Sequence, residues 1–81
     1  MTSLTEQEFK TKVRTGHRAR MVKGDVRGVY VFGHYDMTGR PGQRNGLLTE
    51  EWIVEEPTPQ AIAAAEERVK ELVWRKWKEL Q

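Results

Sequence analysis

Val26-Arg27-Gly28-Val29-Tyr30-Val31-Phe32-Gly33-His34-Tyr35-Asp36 decides the fold. It is rich in β-branched and aromatic residues, the types that pack well on a pleated surface. Side chains alternate across a strand, so Val29 and Val31 face one way and Tyr30, Phe32 and His34 the other. Gly28 and Gly33 interrupt the run and mark bulges or close backbone approach. Upstream, His17-Arg18-Ala19-Arg20-Met21-Val22-Lys23 reads as a second strand, with Ala19 and Met21 on one face and Arg18 and Arg20 on the other. Gly24-Asp25 turns the chain between the two, which makes a hairpin.

Working outward, residues 5–14 read as a short helix. Thr5 is an N-cap with Glu8 three positions later, the pattern in which each side chain satisfies the other residue's backbone N–H. Leu4 and Phe9 are spaced to form a hydrophobic staple. Phe9 and Val13 share one face of this helix, Lys10 and Arg14 another. Gly16 reads as its stop signal. Downstream of the hairpin, residues 37–46 form a loop with three glycines, one proline and two arginines. Residues 47–56 follow as a third strand, in which Leu48, Trp52 and Val54 alternate with Leu47, Glu51, Ile53 and Glu55. Thr58 then caps a helix over residues 59–80, with Pro59 at the first position, where its missing N–H costs nothing. Ile62, Ala65, Val69, Leu72, Val73, Trp77 and Leu80 make one apolar stripe at 3–4 spacing. Glu66 and Glu67 precede Arg75, Lys76 and Lys78, an order that suits the helix dipole.

The expected fold class is α+β: a three-stranded antiparallel sheet with a short N-terminal helix and a long C-terminal helix packed on one face, in the order α-β-β-β-α. One helix cannot cover both faces of the central strand. Either Val29 and Val31 or Tyr30 and Phe32 need another cover, from the first helix through Phe9 and Val13 or from a second copy of the chain.

Composition bounds the rest. With 81 residues the chain is expected to be a single small domain spanning 1–81, too short for a dinucleotide-binding unit or a barrel enzyme. Leu, Ile, Val and Phe number 17 of 81, just above the roughly 20% line that marks disordered chains, so the core is thin. There is no cysteine, hence no disulfide framework and no thiolate chemistry. No apolar run approaches the length of a membrane span. The start, Met1-Thr2-Ser3-Leu4-Thr5-Glu6, has neither the basic nor the apolar segment of a signal peptide. A cytoplasmic location and no membrane partner are expected.

Charge is unevenly distributed. Residues 1–44 carry +5 and residues 45–81 carry −3. The densest cations are Lys10, Lys12, Arg14, Arg18, Arg20, Lys23 and Arg27, against the single acid Asp25. Such a patch suits a polyanion, because each Lys or Arg placed on a phosphate releases counterions. Arg40 and Arg44 in the glycine-rich loop add two more. That loop lacks the Lys-Ser/Thr ending of a nucleotide-binding loop, and a strand rather than a helix follows it. The expected nucleic-acid contacts are Arg18, Arg20, Arg40 and Arg44, supported by Lys10, Arg14, Lys23 and Arg27. Tyr30 or Tyr35 would stack on a base if exposed. The competing reading is a solvated surface in which Glu50, Glu51, Glu55 and Glu56 pair with the arginines and neutralise the patch.

Catalysis finds little support. Ser3 is the only serine and there are two histidines, so no nucleophile, base and orienting acid stand out. His34 and Asp36 share a strand face, but acid–base work needs a pocket around them. A metal site from His17, His34 and Asp36 would need two strands in the right register, without the dense ligand spacing of known centres. No enzyme activity, cofactor or metal is expected. The alternative to a nucleic-acid-binding module is a protein-binding or homodimerising accessory factor, a regulator or inhibitor of a larger enzyme. It would use the surplus sheet face and Trp74, which falls at the edge of the helical stripe beside Lys70 and Lys78; tryptophan is enriched at contact hot spots.

The α-β-β-β-α order resembles the double-stranded-RNA-binding topology, and the final β-β-β-α is similar to the arm-site DNA-binding domains of some integrases. Both resemblances imply a nucleic-acid partner. The basic start of the second helix that the double-stranded-RNA module carries is replaced here by the acidic Thr58–Glu67 segment, and no functional residue is carried over.

Overall fold

The computed structural model describes residues 5–36 and 46–80. Its elements are α1 (Glu6–Lys12), β1 (Arg14–Val22), β2 (Asp25–Asp36), β3 (Leu47–Val54) and α2 (Pro59–Glu79), with the strands in one antiparallel sheet in the order β1-β2-β3. The α+β class and the α-β-β-β-α order are those read from the sequence.

α1 forms because its first turn closes on itself. The Glu8 N–H donates to Thr5 Oγ1 at 3.1 Å, and the Thr5 N–H donates to Glu8 Oε1 at 3.4 Å. The helix ends earlier than expected, however. Val13 is already extended, and Arg14, Thr15 and Gly16 pair with His34, Gly33 and Phe32 on β2. Gly16 is therefore a strand residue and not a helix stop, and Arg14 shares no helix face with Lys10. The reason is non-local. A Cβ at Gly16 would lie 2.9 Å from the Phe32 ring, so the glycine makes room for an aromatic side chain lying across the neighbouring strand.

The β1–β2 turn is two residues long, between the paired Val22 and Asp25. Lys23 (φ 51°) and Gly24 (φ 83°) are both left-handed, the combination whose twist matches that of the flanking strands. The register shifts between Ala19 and Met21, and Gly28 takes the extra residue on β2. Gly28 has φ 97°, and a Cβ there would sit 2.4 Å from the Val54 carbonyl oxygen, so no other residue fits without displacing β3.

Both helices lie on the same side of the sheet. Val29, Val31, Gly33 and Tyr35 of β2 face them, with Leu48 and Val54 of β3 and Val13 before β1. One core cluster joins Phe9, Val13, Tyr35, Leu48, Val73 and Trp77; the other joins Val31, Val54, Ala65 and Val69. Phe9 is fully buried, stacked 4.2 Å from Tyr35, with the tilted Trp77 ring centred 5.1 Å away. α2 is capped as expected, the Ala61 N–H donating to Thr58 Oγ1 at 3.1 Å. In its stripe Ala65, Val69, Val73 and Trp77 are buried and Ile62 and Leu72 half-buried, but Leu80 at the C-cap is 57% exposed, since it is past the end of the helix. Among the described residues no helix is long and apolar enough to cross a membrane.

Candidate nucleic-acid interface

Because α1 joins α2 on one side, Phe9 and Val13 do not cover Tyr30 and Phe32. Among the described residues no element packs on that opposite face of the sheet. The strand register arranges it as three cross-strand rows. Arg14, His34 and Thr49 form the first, Gly16, Phe32 and Glu51 the second, and Arg18, Tyr30 and Ile53 the third.

Each row has its own internal contacts. His34 Nδ1 and Thr49 Oγ1 share a hydrogen bond of 3.0 Å. Phe32 lies over Gly16, with its ring centre 5.1 Å from that of His34. The Arg18 guanidinium sits 5.5 Å from the centre of the Tyr30 ring, an attraction worth about 0.5–1 kcal/mol at an exposed site. The three rings are half-buried, while Arg14 and Arg18 beside them are exposed. Across the face the order is cations on β1, rings on β2, and Thr49, Glu51 and Ile53 on β3.

The cations expected to act together are dispersed over several places. Arg14 and Arg18 share the open face. Arg20, Lys23 and Arg27 cluster at the hairpin end, where Arg20 Nη1 donates to the Arg27 carbonyl oxygen at 3.1 Å and Arg27 lies 4.0 Å from Asp25. Lys10 sits on the helix side, 3.5 Å from Glu6 and beside Glu67 and Lys70 of α2. Arg40 and Arg44 lie outside the described residues. The strand ends that flank that segment, Asp36 and Leu47, pair at the same end of the sheet as Arg14.

The acidic strand does not clasp these arginines. β1 and β3 are separated by β2, roughly 9.6 Å from backbone to backbone. Among the described residues no ion pair joins Arg14, Arg18, Arg20 or Lys23 to a carboxylate. Glu51 shares the open face but at its far edge, and Glu50 points to the helix side near Arg75 and Lys76.

Tyr35 is buried against Phe9, so it is no stacking platform, whereas Tyr30 is on the open face. His17 pairs with Val31 on the helix side and His34 lies on the open side, so the two imidazoles cannot converge on one ion. Among the described residues no three His, Asp or Glu side chains come together. Trp74 is half-buried, 5.2 Å from Phe9 and 5.5 Å from Trp77, with the Lys78 ammonium 5.6 Å above it. Sequence reading missed Arg14 as a strand residue in line with Arg18, and Arg68, whose guanidinium stacks 4.4 Å from the Trp52 ring on the helix side. The alternation Arg14, Gly16, Arg18 was the available signal for the first.

No family model, curated protein or solved structure matches this chain.

Proposed function

We propose that this chain is a non-enzymatic nucleic-acid-binding module and that its contact surface is the uncovered sheet face. One observation carries the reading: Arg14 and Arg18, free of carboxylate partners among the described residues, flank a row of half-exposed rings that no helix covers. Arg14 and Arg18 contact phosphates, which gives affinity and orientation rather than sequence choice. Arg20 and Lys23 follow Arg18 toward the hairpin end, while Arg27 lies on β2, 4.0 Å from Asp25. Lys10 is excluded from the surface by its position behind the sheet.

The test is binding to a labelled oligonucleotide between about 50 and 200 mM salt. Affinity is expected to fall steeply with salt, and Arg14→Ala with Arg18→Ala to lower the slope by about 0.7–0.9 for each phosphate contact removed. Absence of binding at the lowest salt, or a double variant indistinguishable from the parent, removes the proposal.

A homodimer is the second reading, favoured by one feature of the same face. Ile53 (45% exposed) and Leu47 (62% exposed) lie on its β3 side, and two copies related by a two-fold axis would set the Arg18 edge of one against the Glu51 edge of the other. Light scattering across a concentration series decides it: a constant monomer mass rules the dimer out.

A further inference from the structure

Resting on the nucleic-acid reading, we propose that the open face takes a single strand with its bases unstacked, in preference to a duplex. The argument is the one-sided layout of the face. Its cations occupy one edge only, Arg14 and Arg18, four residues and about 13 Å apart along β1. Its opposite edge presents Glu51, Ile53 and Leu47 and carries no cation, and its one hydroxyl, Thr49 Oγ1, is 3.0 Å from His34 Nδ1. A groove of duplex DNA is walled by two phosphate lines, one on each side, and would bring its second line onto Glu51. A single strand has one such line. With its backbone along β1, its bases reach inward over β2 and meet the rings, with Ile53, Glu51 and Thr49 beyond them on β3.

The spacing of the rings points the same way. Tyr30 and Phe32 are two residues apart on one face of β2, about 6.7 Å along the strand. Bases lying on neighbouring rings are then held at twice the rise of about 3.4 Å per nucleotide in a duplex strand. They have left each other's stack and exchanged it for the protein's rings. Every base has a π-face, so such a platform accepts any sequence. Arg18, already against the Tyr30 ring, is placed to hold a phosphate beside the base seated there.

Fluorescence anisotropy at fixed low salt, with labelled oligothymidylate and a labelled hairpin duplex of equal length, tests this. Tyr30→Leu and Phe32→Leu remove the π-faces while keeping apolar side chains on the strand, and thermal melts confirm that each variant folds. Oligothymidylate is expected to bind more tightly than the duplex. Each leucine variant is expected to weaken oligothymidylate at least fivefold, and up to about a hundredfold, because a stacked base is worth about 1–3 kcal/mol. Duplex binding that equals or exceeds oligothymidylate, with Tyr30→Leu and Phe32→Leu without effect and Arg14→Ala with Arg18→Ala damaging, overturns the single-strand inference and leaves the nucleic-acid reading standing. Failure of both probes to bind overturns both.

Discussion

The two faces of β2 differ in almost every physical respect although they share one backbone. On the helix side Val31 is fully buried and Tyr35 is 8% exposed, held among Phe9, Leu48, Val73 and Trp77. On the other side Tyr30, Phe32 and His34 remain half-exposed beside charged neighbours. The first face follows the ordinary logic of burial, in which apolar surface leaves water at about 25 cal/mol per Å². The second keeps three rings in partial contact with water, and their neighbours are arginines. With both helices on one side of the sheet, no described element covers the other, and which side chains each face presents is set by period-two alternation along β2.

Substitutions that separate the two faces sharpen this contrast. The largest expected effect lies on the covered side. Phe9→Ala leaves a cavity among Tyr35, Trp74 and Trp77 and is expected to cost about 3–5 kcal/mol, read as a loss of thermal or urea stability. In a chain this small that is most of the folding free energy. Tyr30→Leu on the open side should cost under about 1.5 kcal/mol. A comparable loss from both would mean that the two faces of β2 contribute alike to stability.

Next comes the bulge that sets how β2 meets β3. Gly28→Ala forces a side chain into a left-handed backbone at about 1–2 kcal/mol and drives its Cβ against the Val54 carbonyl. A total loss above about 2 kcal/mol in a denaturant melt is expected. A neutral result would mean that the β2–β3 contact is looser than described. The turn runs in the opposite direction. Lys23 bears the left-handed strain without a stabilising side chain, so Lys23→Asn is expected to raise stability by about 0.5–1 kcal/mol in the same melt. Its effect on oligonucleotide affinity reports separately whether the Lys23 charge reaches a phosphate.

The smallest effect concerns the far edge of the open face. Glu51→Gln removes a like charge from the ligand's side and is expected to raise oligonucleotide affinity by up to about fivefold, the size of an exposed pairwise charge interaction. Unchanged affinity would place the bound strand away from β3.

Much of the fold was legible because its signals are local. Thr58-Pro59 and the stripe from Ile62 to Trp77 define α2 without reference to any other segment, and Thr5 with Glu8 does the same for the start of α1. What was not legible depended on contacts distant in sequence. Gly16 looks like a helix terminator in its own neighbourhood, and only Phe32, sixteen residues later, explains it as a strand position. The basic patch failed as a single patch for a related reason. Cations adjacent in sequence alternate across a strand or end on another element, so Lys10 went behind the sheet while Arg14 joined Arg18 in front. The possible neutralisation by β3 was decided by strand order, since β2 stands between the two edges.

Backbone amide shifts during titration with oligothymidylate test the central claim most directly, because they report position and affinity together. Perturbations should concentrate at Arg14–Arg18 and Tyr30–His34 and spare the outward face of α2 at Ala63, Ala64 and Glu67. Perturbations confined to α1 and α2, with β1 and β2 unmoved, would contradict the assignment of the binding surface to the open sheet.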